Sequence, residues 1–353
     1  MGLKDDMLKA IIKEISLQTD FFKADNTVSS IYFGGGTPSI LSSLEIKSIL
    51  TQLKTVFNVS QGAEVTLEAN PDDISEEKLK ELFESGINRL SLGIQSFNSA
   101  LLKWMNRTHN TNEALTALEI IKKSSFSNFS VDLIYGNPGQ DLATLEQDIE
   151  TLLQYNPPHI SAYCLTIEEK TVLGRLLKRG KINEVEDEEA AAHFLKVNKL
   201  LTQSGYEQYE ISNYCLPNKT SFHNTNYWKG IPYLGIGPGA HSFNKAERQY
   251  NVSNNAKYIK ALTQDSIPAE HETLSRNDLI NEYLMTALRT SEGISLEKLL
   301  IDYNFDLEKE YKPLLQQWYE QGQARISDKG TIQLTLKGKL IADKLASDLF
   351  LVD

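Results

Sequence analysis

The stretch Ile31-Tyr32-Phe33-Gly34-Gly35-Gly36-Thr37-Pro38-Ser39 begins the pattern that decides the fold, because a β-rich run passes directly into a glycine turn. Residues 30–33 predict a strand. The glycines after it let backbone groups approach a ligand closely, since glycine has no side chain in the way. The turn fits neither G-x-x-x-x-G-K-[ST] nor G-x-G-x-x-G. Alone, it therefore indicates a tight turn at least as well as a ligand loop.

The same strand-and-turn unit recurs along the next 180 residues. Strands are predicted at 65–67, 90–94, 130–135, 160–165 and 206–211, and helices at 3–15, 44–57, 75–84, 111–123, 141–155 and 187–204. Such alternation predicts an α/β fold with a parallel sheet, either open or closed into a barrel. A barrel is favoured because the unusual residues at 34–37, 68–70, 95 and 137–139 follow the carboxyl ends of successive strands, where parallel α/β folds collect their site residues.

After about residue 250 this alternation stops. Helices are predicted at 277–290, 296–303, 307–321 and 340–350, with a hairpin at 324–336 turning through Asp328-Lys329-Gly330. This order predicts a winged-helix-like module, so the expected domains are a barrel at 1–250 and a C-terminal domain at 251–353. Residues 271–353 hold 10 Lys+Arg and 14 Asp+Glu, a net charge of −4. We therefore expect a packing or partner module instead of a DNA reader.

The composition excludes several classes of protein. With 36 Lys+Arg against 47 Asp+Glu the net charge is −11, which argues against a general nucleic-acid binder. No apolar run is long enough to span a membrane, and no signal peptide is evident, so a cytoplasmic location is expected. Two cysteines, Cys164 and Cys215, supply neither a disulfide framework nor a four-thiolate metal or iron–sulfur site.

Two carboxylates stand out on the predicted strands. Glu68 ends a strand, where it could accept hydrogen bonds from ribose hydroxyls or from an ammonium group. Asp132 lies mid-strand among apolar residues, and a carboxylate there is costly unless it is paired or bound to a ligand. A structural ion pair with Arg89 or Arg107 is the alternative to a ligand role.

Four segments in this order carry a family resemblance: residues 31–39, Glu68-Ala69-Asn70-Pro71, Gly93-Ile94-Gln95-Ser96-Phe97 and Asp132-Leu133-Ile134-Tyr135-Gly136. Over nearly the whole chain they resemble radical S-adenosylmethionine proteins of the oxygen-independent coproporphyrinogen III oxidase family. The resemblance implies a partial (β/α)6 barrel. It also implies that Gly35, Gly36 and Thr37 meet the methionyl part of S-adenosylmethionine, whereas the rest of that ligand contacts Glu68, Gln95, Arg107 and Asp132.

A second motif selects a branch of this family. A histidine beside Tyr and Trp suits haem, because imidazole ligates iron and aromatic faces cover the macrocycle. The run His223-Asn224-Thr225-Asn226-Tyr227-Trp228 resembles the H-N-x-x-Y-W signature of the HemW haem-chaperone branch. The resemblance implies that His223 ligates haem iron and that Tyr227 and Trp228 shape the pocket. His241, after the glycine loop at 235–239, is a second candidate, and a loop histidine bonded to backbone is an equal alternative.

The sequence departs from the family at the iron–sulfur cluster. The family holds a four-iron four-sulfur cluster on a C-x-x-x-C-x-x-C motif just after its first barrel strand, and this sequence shows neither the strand nor the motif. A start at a downstream Met and a natural cluster-less form are both compatible, and the retained ligand-contact residues favour the first. We expect the strand at 31–33 to be an exposed edge, the chain to be less stable than an upstream-extended version, and cluster reconstitution to fail.

These patterns predict a protein that binds haem and S-adenosylmethionine and delivers haem to an unidentified acceptor protein. The alternative is an oxygen-independent coproporphyrinogen III oxidase, which oxidatively decarboxylates propionates with a 5′-deoxyadenosyl radical and needs the cluster. A third possibility is a remnant that acts only through its acidic C-terminal module. No catalytic residue is assigned.

Overall fold

A computed structural model describes residues 2–22 and 26–352 of this 353-residue chain. Helices make up the larger part of its regular structure. In the described residues they are α1 Gly2–Leu17, α2 Ser43–Val56, α3 Glu76–Ser85, α4 Ser99–Trp104, α5 Thr111–Lys123, α6 Leu142–Leu153, α7 Val172–Lys178, α8 Asp187–Gln203, α9 Phe222–Trp228, α10 Asn255–Leu262, α11 Arg276–Leu288, α12 Leu296–Tyr303, α13 Leu307–Glu310, α14 Lys312–Glu320, α15 Leu336–Lys339 and α16 Ala342–Ser347. None of these helices is both long and apolar enough to cross a membrane.

The strands form three sheets. They are β1 Thr27–Phe33, β2 Asn58–Ala69, β3 Arg89–Gln95, β4 Phe129–Tyr135, β5 His159–Cys164, β6 Glu207–Gln208, β7 Asn213–Cys215, β8 His241–Phe243, β9 Glu247–Asn251, β10 Ala269–Thr273, β11 Ile294–Ser295, β12 Ala324–Ile326 and β13 Thr331–Leu334. The largest sheet has seven strands in the order β1-β2-β3-β4-β5-β7-β6, with β1 at one end. The pairs β2–β3, β3–β4 and β4–β5 are parallel, as the alternation predicts.

The prediction of one continuous strand at 206–211 is wrong. Two short strands replace it, and β7 runs antiparallel to both β5 and β6. The chain reverses in a tight turn, in which the Asn213 N–H donates to the Glu210 carbonyl at 3.2 Å and the Glu210 carboxylate accepts from the Asn213 amide at 2.6 Å. The direction of β7 depends on this turn, and the local hydrophobic pattern of the sequence does not predict the turn.

Helix α5 shows why the predicted helices form. Asn110 caps its first turn and Glu113 bonds back to the Asn110 backbone, which satisfies amides that have no partner within the helix. Its buried side chains recur at helical spacing: Ala114, Ala117, Leu118 and Ile121. The predicted bounds of 111–123 are confirmed.

The sequence pattern misses the three-stranded sheet β8–β9–β10. Strand β10 reads Ala-Glu-His-Glu-Thr, and its side chains are half-buried or exposed, so it lacks the apolar alternation that marks a strand. It forms because β9 offers it a complete antiparallel register from Glu247 to Asn251. Hydrogen bonding of β10 to β9 therefore outweighs the low strand propensity of its own residues.

The C-terminal residues keep the order that predicts a winged-helix-like module. The hairpin at 324–336 is confirmed as β12 and β13, and β11 adds a third strand to it. The predicted helix at 307–321 is broken into α13 and α14 near Pro313, whose ring nitrogen cannot donate to the preceding helical turn. The predicted helix at 340–350 is shorter, and it follows the separate turn of α15.

The chain divides into two compact units, which are interleaved in sequence. Unit 1 comprises residues 1–31, 41–64 and 222–353, and unit 2 comprises residues 32–40 and 65–221. The core of unit 2 includes Leu90, Leu92, Val131 and Ile160 on the parallel strands. In unit 1, Ala10 of α1 packs with Tyr258 and Leu262 of α10. The domain boundary expected near residue 250 remains a prediction.

Candidate functional site

The glycine turn of unit 2 is organised around Glu68. The Tyr32 hydroxyl donates to Glu68 Oε1 at 2.9 Å, and the Gly35 N–H donates to Glu68 Oε2 at 3.2 Å. A Cβ atom on Gly34 would lie 2.7 Å from Glu68 Oε1, so a larger residue at that position would displace the carboxylate. Gly35 has φ of +78°, which favours glycine, and a Cβ atom there would meet nothing within 4 Å. The turn thus leaves an exposed backbone cradle beside a carboxylate.

Gln95 and Arg107 converge over Gly93 at the carboxyl end of β3. A Cβ on Gly93 would lie 2.7 Å from Gln95 Nε2 and 3.4 Å from Arg107 Nη2. Gln95 has φ of +68°, a strained backbone for a residue with a side chain, at an irregularity in the β3–β4 register. Such strain is concentrated at functional sites. Arg107 Nη2 donates to Asn70 Oδ1 at 2.8 Å, and Arg107 Nε is a buried donor with no partner in the described residues.

Asp132 lies within a set of polar side chains on the parallel strands. Ser91 and Ser130 hydroxyls donate to its carboxylate at 3.4–3.5 Å. Burial raises the pKa of Asp132 to about 6, although a hydrogen bond from Ser161 and the positive charge of Arg89 act to lower it. Arg107 is engaged with Asn70, so of the two predicted ion-pair partners it is Arg89 whose charge acts on Asp132.

Sequence reasoning missed a hydrogen-bonded chain beside Asp132. His159 Nδ1 lies 2.9 Å from Ser130 Oγ, and its Nε2 lies 2.7 Å from the Tyr209 hydroxyl. Burial, with the nearby Arg89, lowers the pKa of His159 well below its usual value, so the ring is neutral. The signal was present as polar residues at every second position of β3, β4 and β5, where Ser91, Ser130 and His159 share one register row.

The residues of unit 2 fit S-adenosylmethionine better than they fit an iron–sulfur cluster. The unpartnered Arg107 Nε, the open backbone at Gly35 and Gly36, and the carboxylates of Glu68 and Asp132 are groups that a charged, polar ligand can engage. In contrast, the sequence contains only Cys164 and Cys215, so it supplies no three-thiolate set. No group of three or more His, Cys, Asp or Glu within residues 2–22 and 26–352 is placed to hold a metal ion.

The histidine motif of unit 1 forms helix α9. His223 and Tyr227 are four residues apart and so lie on the same face of the helix. The His223 N–H donates to Glu64 Oε1 at 3.0 Å, which places a carboxylate at the positive end of the helix. Phe222 and Tyr227 are large side chains that remain 59% and 45% exposed. Helix α9 thus presents two large aromatic side chains to solvent, whereas His223 is half-buried.

A row of aromatic rings continues from α9 toward β8. Tyr227 contacts Trp228 edge-on at 5.2 Å and Tyr233 at 5.7 Å between centroids, and Tyr233 lies 6.2 Å from Phe243. His241 is two residues before Phe243 in β8 and therefore lies on the same face of the strand. Its ring is exposed and packs edge-on against Tyr250 at 4.8 Å. His241, the second candidate iron ligand, thus lies on the same strand as Phe243, the last ring of this row.

The chain is similar to known proteins over most of its length. A sequence profile of the Radical SAM superfamily matches residues 7–152. The chain is 35% identical over 309 residues to Heme chaperone HemW of Lactococcus lactis, covering 88% of this chain and 81% of that one. It is 33% identical over 344 residues to Heme chaperone HemW of Bacillus subtilis, covering 97% and 90%.

A solved structure shows the same fold. Coproporphyrinogen III oxidase (HemN) from Escherichia coli, a radical SAM enzyme, superimposes with a TM-score of 0.82 at 22% sequence identity, covering 98% of this chain and 83% of that chain. The predicted partial barrel of mixed α/β class is thereby confirmed. The sequence identities to the two HemW proteins show that the chain belongs to the HemW family, and the profile match at residues 7–152 agrees with its place in the radical S-adenosylmethionine superfamily.

Proposed function

We propose that this protein binds haem on unit 1 and delivers it to an acceptor protein. The observation that carries the proposal is helix α9, on which His223 and Tyr227 share one face and the aromatic side chains of Phe222 and Tyr227 are exposed. Relatives at 33–35% identity over most of their length are named haem chaperones. Exposed aromatic side chains beside the histidine suit a chaperone, because haem must leave the site as well as enter it.

In this proposal the His223 imidazole ligates the haem iron. Tyr227 and Trp228, already in edge-on contact, cover part of the porphyrin face, where aromatic side chains bury large apolar areas. His241 on β8 is the candidate for a second ligand. The acceptor protein is unidentified, and the cytoplasmic location expected from the sequence remains a prediction.

We also propose that unit 2 binds S-adenosylmethionine. Gly35, Gly36 and Thr37 would hold the methionyl part, and Glu68, Gln95, Arg107 and Asp132 the rest of the ligand. The unpartnered Arg107 Nε and the open glycine turn support this assignment. S-adenosylmethionine supplies a sulfonium centre and an adenosyl group when bound. The two cysteines of this sequence do not provide a cluster ligand set, so the role proposed for these residues is to bind S-adenosylmethionine.

Haem titration followed at the Soret band tests the chaperone proposal. We expect saturable binding by the wild-type protein and a shifted or lost Soret band in His223→Ala. The matched control is His271→Ala, which removes an exposed histidine that is 3.4 Å from Glu247 on the sheet β8–β9–β10. His241→Ala tests the second ligand. Absence of wild-type binding, or spectra of His223→Ala and His271→Ala that both match wild type, would overturn the assignment.

A further inference from the structure

Two cations lie at the Trp228 end of α9, and the functions proposed above do not use them. The Arg289 guanidinium carbon lies 5.5 Å from the centre of the Trp228 ring, a cation–π contact that fixes the arginine over the indole. Lys229 directly follows Trp228 and pairs with Glu292 at 2.9 Å. All four residues belong to unit 1.

The acidic side chains that pair with both cations are largely exposed to solvent. Arg289 Nη1 lies 2.7 Å from Asp343, whose side chain is 79% exposed, and the Glu292 side chain that pairs with Lys229 is 70% exposed. Ion pairs with such exposed partners contribute little stability. A carboxylate from a ligand can therefore replace either partner at small cost, especially if the ligand is anchored elsewhere.

We propose that Lys229 and Arg289 receive the two propionates of haem. This inference rests on the proposed haem site at His223. The His223-to-Trp228 separation of five residues spans about 7.5 Å along a helix, comparable with half the width of a porphyrin. Haem carries both propionates on one edge, so haem bound at His223 with that edge toward the Trp228 end of α9 would bring the propionates to Lys229 and Arg289.

The remaining surface suits the apolar edge of the ligand. Phe222 at the His223 end of α9 is 59% exposed, and no charged residue occurs within α9 itself. The exposed Phe222 thus lies at one end of α9 and the cations Lys229 and Arg289 lie at the other, an order that matches haem from its vinyl edge to its propionate edge. Because the acidic partners of both cations are largely exposed, the two carboxylates of a dianionic porphyrin can take their place.

Binding of haem and of haem dimethyl ester, whose propionates are neutral, tests the inference. For Lys229→Gln and Arg289→Gln we expect about two- to fivefold weaker haem binding, the range for exposed charge pairs, and unchanged binding of the ester. The Soret position should stay that of wild type, because the iron ligand is untouched. Glu292→Gln should bind haem at least as tightly as wild type, since a competing carboxylate is removed.

The matched control is Lys4→Gln on α1, because Lys4 has nearly the same side-chain exposure as Lys229, 45% against 47%, and pairs with a glutamate at 2.8 Å. Equal losses for haem and its ester, or no loss in either variant, would overturn the propionate assignment while leaving the haem site intact. If the wild-type protein binds neither compound, the proposed function itself fails.

Discussion

Asp132 shows how a single carboxylate can be both unfavourable for folding and suited to a ligand. Its side chain is partly buried on a strand, and the surrounding serines donate only long hydrogen bonds at 3.4–3.5 Å. Burial therefore outweighs these donors and raises its pKa to about 6. A ligand that donates hydrogen bonds to this carboxylate would therefore stabilise its ionised form.

Replacing Asp132 by Asn should stabilise the unliganded protein at neutral pH. An unfolded aspartate ionises near pH 4 and the folded one near pH 6, so wild-type stability falls as the pH rises between these values. The variant lacks this fall. We expect it to gain about 1–2 kcal/mol relative to wild type between pH 4.5 and 7.5, discounted for residual exposure. Urea unfolding of both proteins at both pH values measures the difference, and a constant difference would contradict it.

Gly34 is the second residue whose replacement is informative. In Gly34→Ala the new Cβ would lie 2.6 Å from Tyr32 Cε1 and 2.7 Å from Glu68 Oε1, so the bonds of Glu68 to Tyr32 and Gly35 must shift. We expect a loss of about 1–2 kcal/mol in unfolding free energy. Gly36→Ala, whose Cβ meets nothing within 4 Å, is the control for stability and should change it little. Equal effects of the two variants in urea unfolding would argue against this account.

For single residues, the sequence motifs predicted the carboxylates and the glycine turn. They did not predict the polar side chains that form hydrogen bonds at and beside Asp132. Glu68 and Arg107 belong to recognisable segments. Ser91, Ser130 and His159 are ordinary residues, and only the strand register brings them into one row. A serine on a strand has many roles, so its function depends on pairing that a local pattern does not encode.

Among the elements, helix α1 depends on a buried carboxylate. Glu14 is fully buried, and it accepts hydrogen bonds from the Gly237 N–H at 2.8 Å, the Asn251 amide at 2.6 Å and the Tyr258 hydroxyl at 2.5 Å. Burial raises the pKa of Glu14 although these donors act to lower it. One side chain thus joins α1 to α10, β9 and the glycine loop that precedes His241.

Glu14→Ala should destabilise the protein by about 3 kcal/mol, because three buried donors lose their acceptor. Glu14→Gln keeps one acceptor oxygen but places an amide against a donor, so we expect an intermediate loss of about 1–2 kcal/mol. Glu81→Gln on α3, whose side chain is exposed, is the matched control. Chemical denaturation orders the variants, and a Glu14→Ala protein as stable as Glu14→Gln would contradict the expected order.

Elements with strong local signals were predictable, and those that depend on pairing were not. The sequence of helix α5 contains a capping box and apolar residues at helical spacing, and its bounds were predicted. Strands β7 and β10 form through antiparallel partners, and their residues carry no regular alternation. The break at Pro313 was visible in the sequence, but the apolar periodicity on both sides of it favoured one helix.

At the scale of the whole molecule, the two candidate ligands belong to different units. All residues proposed to contact S-adenosylmethionine lie in unit 2, and those proposed to contact haem lie in unit 1. Each unit has its own core and its own set of hydrogen-bonded site residues. The simplest expectation is that a substitution in one site leaves the intrinsic geometry of the other unchanged.

Arg107→Ala should therefore weaken S-adenosylmethionine binding at least tenfold without changing the haem Soret band, since it removes a charged donor from unit 2 only. His223→Ala should give the reverse result. Calorimetry and absorbance titration on the same preparations measure both. Lys103→Ala, in the last turn of α4 near Arg107 in sequence, controls for loss of positive charge. Loss of both ligands in either variant would show that the sites are energetically coupled.

The interleaving of the units sets the order in which the protein can be completed during synthesis. Unit 2 ends at residue 221, so every one of its residues has been made before helix α9 exists. Helix α1, although made first, meets the partners of Glu14 only after residue 258 has emerged. The nascent chain therefore carries a water-exposed Glu14 for most of its translation. A ribosome-bound chain would hold every residue of the proposed S-adenosylmethionine site before any residue of the proposed haem site had been made.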